Sequence, residues 1–293
     1  MNLALTVVNI TLPVFLLAAV GFAWVRMGIE YRVQFVTQLA MTLAVPCLIF
    51  TALVETDLDP TALSELSLAT LGAYALIVAV FWALGAAFGL DRRTYLAPLV
   101  FGNTGNLGLP LALFAFGPEG LSLAVIVFAV MAIGSFTFGV WIVSGGGPAI
   151  TVVKEPLVGA TLLGAVFLWM GWSVPEPLFN ALDLIGQMAI PLMLITLGVA
   201  VARLKPERIG LAVGLSIVKA LLCAAAGFAA AFAFGLPKVP AAVLILQVAT
   251  PVGVTSYLLA EKYGADAEAV AGLVVASTVL SVLYLPALLA ILL

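Results

Sequence analysis

Two asparagines and a threonine stand close together in an otherwise apolar stretch, within "GNTGNLGLP", Gly102–Pro110. Asn103, Thr104 and Asn106 carry amide and hydroxyl groups that donate and accept hydrogen bonds without a net charge. Gly105 and Gly108 let a backbone unwind, and Pro110 lacks an N–H and frees a carbonyl one turn earlier. A second run, "TPVGVTS", repeats this chemistry with Thr250, Pro251, Gly253, Val254, Thr255 and Ser256. Neither run holds an acid or a base, and the chain has no histidine at all. His-based metal sites and Ser-His dyads are therefore excluded, and an intramembrane enzyme is not expected. Neutral groups of this kind bind rather than react.

The elements that hold these runs are set by composition. Of 293 residues, 65% are hydrophobic and only 9% charged, and the mean hydropathy is +1.29. A water-soluble fold could not hide so much apolar surface. The apolar runs are continuous rather than alternating, so the fold class expected is an all-α polytopic membrane protein and not a β-barrel. Ten transmembrane helices are expected, at 3–25, 32–54, 66–90, 94–117, 120–143, 156–173, 177–202, 208–235, 239–262 and 268–292. The first is read as an uncleaved span, because no basic segment precedes it. Cys47 and Cys223 sit in apolar runs and read as packing residues. No basic tract is present, so nucleic acid is not an expected partner.

Charge orients the chain. The loops after odd-numbered spans carry Arg26, Arg32, Arg92, Arg93, Lys154, Arg203, Lys205, Arg208 and Lys262. The remaining loops carry only Lys238. The first set is expected on the cytoplasmic side of the cell (inner) membrane, with both termini outside. The linker "SGGGPAITVVKEP", 144–156, divides the chain into two halves of five spans. Because five is odd, repeated halves must be inverted relative to each other. Ala44, Pro46 and Thr51 recur as Ala189, Pro191 and Thr196 at an offset of 145. "FGL" at 88–90 recurs at 234–236, and Gly117 recurs as Gly264.

On that alignment the two polar runs correspond. Asn103 and Thr250 each lie about 15 Å into a span, near the middle of a hydrocarbon layer of about 30 Å. Paired broken helices at this depth point to the binding site of a transporter. Half-helices starting near Leu109 and near Val254 would aim free N–H groups at the centre, where an anionic group is favoured.

The stretches "NTGNLGLPLALFAFG", "LAVPCLIFTALV", "MAIPLMLITLGV" and "ATPVGVTSYLLAEKYG" resemble the auxin efflux carrier family, which includes plant PIN carriers and bacterial organic-acid carriers. The resemblance covers essentially the whole chain. It implies a fold related to bile acid:sodium symporters, with broken crossover helices four and nine and elevator-type alternating access. It implies a scaffold of spans 1–2 (1–65) and 6–7 (149–205), and a transport domain of spans 3–5 (66–148) and 8–10 (206–293). It further implies an organic anion as substrate, a homodimer through scaffold helices 2 and 7, and Asn103, Asn106, Pro110 and Pro251 as crossover and binding residues. The linker of about a dozen residues lacks the long regulatory loop of many plant members, so plant-type phosphorylation control is not expected. The small members of the family it resembles look like carriers of simple carboxylates such as malate or malonate rather than of auxin-like acids.

Other polar positions complete the reading. Lys219, mid-span, either attracts the anion or is held by the carbonyls of a neighbouring broken helix. Pro46 and Pro191 kink spans two and seven. Gln38 and Gln187 are expected to bond to neighbouring helices, and Asp183 to reach the outer interface. Trp24, Trp141, Trp169 and Trp172 lie near span ends as interface anchors. No cofactor is expected. A sodium- or proton-coupled carrier of another cargo and a passive channel remain as alternatives.

Overall fold

In hydrocarbon, every backbone N–H and C=O must find a partner inside the protein, and long apolar runs meet that demand as helices. The computed structural model describes residues 3–55, 60–146, 156–204 and 209–293, and nearly all of them are helical. The helices are α1 (Leu3–Arg26), α2 (Val33–Leu39), α3 (Val45–Val54), α4 (Pro60–Phe88), α5 (Arg92–Val100), α6 (Leu109–Gly134) and α7 (Val140–Val143). They continue as α8 (Pro156–Met170), α9 (Glu176–Gly186), α10 (Ala189–Arg203), α11 (Ile209–Ala233), α12 (Lys238–Val248), α13 (Val254–Tyr263) and α14 (Ala267–Leu292). Most of the 144–156 linker, with Lys154, and the positions of Lys205 and Arg208 lie outside the described residues.

Among the described residues, seven helical stretches are long and apolar enough to cross a membrane. The difference from ten expected spans arises in three places. Expected spans four and five run on as Thr104–Val143, although Gly117, at φ 68° and ψ −159°, interrupts α6 where their boundary was expected. Expected span six contributes the shorter apolar helix Gly159–Met170. Expected span nine is divided into α12 and α13 by a non-helical stretch.

The prolines explain several irregularities. A prolyl ring collides with the carbonyl four residues earlier. A π-helical turn at Ala40–Ala44 ends just before Pro46, and another at Thr104–Gly108 ends just before Pro110. These wider turns displace the carbonyls of Thr42 and Asn106. Pro191 instead follows an interruption, since α9 stops at Gly186 and α10 starts at Ala189. A third π-helical turn, Ser135–Gly139, leads into α7 and has no proline after it.

Glycines set the closest helix contacts. α1 packs along α10, and α3 along α8 and α9. A Cβ at Gly198 would strike the Ala18 backbone, and one at Gly21 would strike the Ile195 backbone. Small residues of this kind let membrane helices approach backbone to backbone. A second group forms where α11 packs on α14, α12 and α4. Gly198→Val should therefore lower the melting temperature of the detergent-purified protein by several degrees, the overpacking costing about 1–3 kcal/mol. Gly214→Ala, where an added Cβ meets nothing within 4 Å, should leave it unchanged or raise it. Equal melting of all three proteins would remove the close-approach argument.

Candidate binding site between two broken helices

α5 ends at Val100, and Phe101 turns extended at φ −94° and ψ 123°. α12 ends at Val248, and the chain stays non-helical until Gly253, at φ −74° and ψ 143°, leads into α13. The two interruptions meet. The Asn103 N–H donates to the Pro251 carbonyl at 2.6 Å, and Gly102 and Val252 form an isolated antiparallel bridge. The sequence forces small residues here: a side chain on Gly102 would strike Thr250, and one on Gly108 would strike the Gln247 amide.

Neighbouring helices satisfy the remaining backbone. The Val252 N–H donates to Ser277 Oγ at 3.0 Å, and the Tyr284 hydroxyl donates to the Ala249 carbonyl at 2.9 Å. Both partners stand on α14. The Asn103 carbonyl accepts from the Leu107 and Gly108 N–H groups, each at 3.1 Å. The Lys219 ammonium donates to the Leu99 carbonyl at 2.9 Å, at the C-terminal end of α5. Lys219 is only 1% exposed. A cation at a helix C-terminus complements the partial negative charge there.

Two small pockets adjoin this crossing. One, of about 60 Å³, is lined by Asn103, Gly105, Asn106, Phe128, Ser135 and Thr255, with Phe101 and Met131 among its apolar walls. The other, of about 30 Å³, is lined by Thr37, Met41, Asn106, Met193, Thr196 and Thr255, with Val254 beside them. Asn106, Thr255 and Met41 belong to both. Asn106 stands in the turn where the chain resumes helical form after the first break, and Thr255 stands in the first turn of α13. The Asn103 amide nitrogen and the Thr104 hydroxyl are buried without a hydrogen-bond partner.

The expected residues thus divide into groups. Asn103, Gly105, Asn106, Val254 and Thr255 line the pockets. Pro251 makes the backbone contact, Gly253 lies beside the Gly102 carbonyl at the start of α13, and Gly108 and Pro110 are buried. Thr250 is buried, its hydroxyl donating to the Gln247 carbonyl at 2.7 Å. Lys219 serves the Leu99 carbonyl and lines neither pocket. Pro46 lines a separate apolar pocket formed with α8 and α9, and Pro191 is exposed. Helical structure resumes at Thr104 through a wide turn, five residues before the expected start at Leu109, while the start at Val254 is as expected.

Sequence reasoning passed over Thr37 and Met41 as pocket residues. It noted Thr196 only as the partner of Thr51. Gln247 also went unnoticed: it is 0% exposed, and neither amide atom has a partner. Gln187 bonds within its own chain segment, donating to Asp183 at 2.7 Å, rather than to a neighbouring helix. The side chain of Gln38 is exposed. Among the described residues, no group of three His, Cys, Asp or Glu side chains could hold a metal.

Replacing Lys219 by Met would leave the Leu99 carbonyl in an apolar interior with only the weak, long contact of the Cys223 thiol at 3.9 Å. The cost expected is about 1–3 kcal/mol, read as a lower melting temperature in detergent. A variant that melts with the wild type would show that the carbonyl finds another partner.

Comparison with known proteins identifies a membrane transport family. The family model described as "Membrane transport protein" matches residues 6–152 and 149–289. An uncharacterized transporter of Methanocaldococcus jannaschii is 26% identical over 63% of this chain and 63% of its own length. An uncharacterized transporter of Methanothermobacter thermautotrophicus is 25% identical over 94% of this chain and 95% of its own. A Rhizobium meliloti protein named "Putative malonate transporter" is 22% identical over 94% of this chain and 92% of its own. These relatives are transporters and not enzymes. The chain belongs to this membrane transport protein family, the auxin efflux carrier family whose motifs it carries.

Proposed function

We propose that this protein is a secondary transporter of small organic anions, simple carboxylates such as malonate among them. The cargo binds where the breaks after α5 and after α12 cross. One observation carries the reading: Asn106 and Thr255, in the first turns of two resumed helices, line the same two pockets. A carboxylate there meets an amide, a hydroxyl and the positive ends of two half-helices. The malonate named for one relative supports this choice of cargo. No acid or base lines either pocket, so the site offers attraction without a fixed opposite charge. Sodium, proton or no coupling ion is compatible with it.

The packing supports an elevator-type division. α1–α3 with α8–α10 form the scaffold, and α4–α7 with α11–α14 form the moving body. α1 packs on α10 and α3 on α8 and α9, while α11 packs on α14, α12 and α4. In this reading the chain is a ten-span inverted repeat, and α5–α6 and α12–α13 are its crossover helices. It pairs as a homodimer through spans two and seven. The Arg203 guanidinium donates to the Tyr31 carbonyl at 2.6 Å, so Arg203 and the loop between Arg26 and Arg32 share one end. The charge bias puts that end in the cytoplasm.

Radiolabelled malonate in proteoliposomes tests the proposal. Uptake should saturate and be competed by unlabelled malonate. Asn106→Ala should lower it at least about tenfold, as loss of a hydrogen bond to a charged group predicts, with an unchanged melting temperature. Linear, non-saturating flux would replace the carrier by a channel. Wild-type uptake by Asn106→Ala would remove the site.

A further inference from the structure

The second pocket has a scaffold wall that the proposed site does not yet use. Thr37 on α2 and Thr196 on α10 line it together with Asn106 and Thr255. Thr196 is one of two threonines that the repeat alignment pairs, and the pair behaves unequally. Thr51 turns its hydroxyl back into its own helix, onto the Cys47 and Leu48 carbonyls at 3.0 and 3.2 Å. That is the usual arrangement for a threonine in a membrane helix, where no water is at hand. The Thr196 hydroxyl instead reaches out of its helix to the Tyr31 hydroxyl at 2.8 Å.

Tyr31 is well fixed for this contact. It precedes α2, and its carbonyl accepts from Arg203 in the last turn of α10. Its phenol is held above the ordinary tyrosine value, mainly by burial, against smaller opposing effects of the Thr196 bond and the Arg203 charge. It therefore stays a neutral hydroxyl that can donate or accept. Thr196 lies seven residues before Arg203, about 10 Å from that helix end. Tyr31 thus stands on the arginine-bearing side, bonded to Thr196, which lines the pocket together with Asn106.

We infer that Thr196 and Thr37 are substrate-contacting residues on the scaffold, and that Tyr31 holds the Thr196 hydroxyl as a gate on the arginine-bearing side. When an anion arrives, the Thr196 hydroxyl leaves Tyr31 and donates to the anion. The Thr196 hydroxyl exchanges one partner for another and stays paired, while the released Tyr31 hydroxyl, only part-buried, turns to water. The substrate half of this inference rests on the proposed function; the gate half rests on the contact geometry alone.

Two measurements separate them. In the first, Thr37→Cys is treated with a negatively charged methanethiosulfonate reagent in proteoliposomes. The wild type, whose two cysteines are buried, sets the background. Adding Tyr31→Phe should speed labelling at least about fivefold; equal rates with and without Tyr31→Phe overturn the gate. This needs no transported substrate, so it decides the gate even if malonate is not carried. In the second, malonate uptake is measured. Thr196→Val should raise KM about tenfold with kcat little changed, Thr196→Ser should restore it, and Tyr31→Phe should not raise it. If Tyr31 and Thr196 only brace the loop, Thr196→Val and Tyr31→Phe will lower melting temperature and kcat together at unchanged KM, which overturns the substrate role. Absence of wild-type malonate uptake would instead count against the proposed function.

Discussion

A backbone group left unpaired in hydrocarbon has no water to turn to, and that constraint organises this molecule. Neither break is self-sufficient. The N–H of Asn103 needs the carbonyl of Pro251, and Gly102 pairs with Val252. Each interruption thus supplies part of what the other lacks. The approach must be close, which is why Gly102 faces Thr250 and Gly108 faces Gln247. A substitution at either position would act on both segments at once.

The surrounding helices then read as a supporting ring. α14 contributes Ser277 to the Val252 N–H and Tyr284 to the Ala249 carbonyl. α11 contributes Lys219 to the last turn of α5. Burying an ammonium in an apolar interior is costly, and its position at a helix C-terminus explains how this one is tolerated. Lys219 therefore acts on the shape of the crossing before it acts on any ligand. The π-helical turns before Pro46 and Pro110 serve the same end by different means, since each keeps a helix running through a proline that would otherwise break it. One of these turns carries Asn106, so the residue that faces both pockets owes its position to the proline that follows.

Much of this was legible in the sequence because it was a matter of composition and punctuation. Apolar runs gave a helical membrane protein, Gly117 marked the interruption of α6, and Gly253 marked the start of α13. What escaped was what depends on side-chain direction. Pro110 drew attention to Leu109, yet the chain leaves the helix at Phe101 and re-enters at Thr104, because a wide turn accommodates the proline. Lys219 left two readings open from sequence, and only its contact with Leu99 shows what it touches. Gln187 looked like a bond between helices, but Asp183 lies one turn earlier and takes it. Thr37 and Met41 carry no local signal, because their place in a pocket comes from α2 lying against the crossing.

The unequal use of Thr51 and Thr196 follows from the same constraint. A hydroxyl in hydrocarbon normally satisfies itself on its own helix, as Thr51 does. Thr196 can turn away only because Tyr31 offers a neutral partner at that point. The pockets hold no ionised side chain either: asparagine, serine and threonine side chains are set among apolar walls, and the one cation of α11, Lys219, is spent on a backbone carbonyl. A carrier must let its cargo go on the far side. On the proposed reading, neutral donors set beside two helix starts would attract an anion by partial charges alone, a strength of binding that a modest movement could undo.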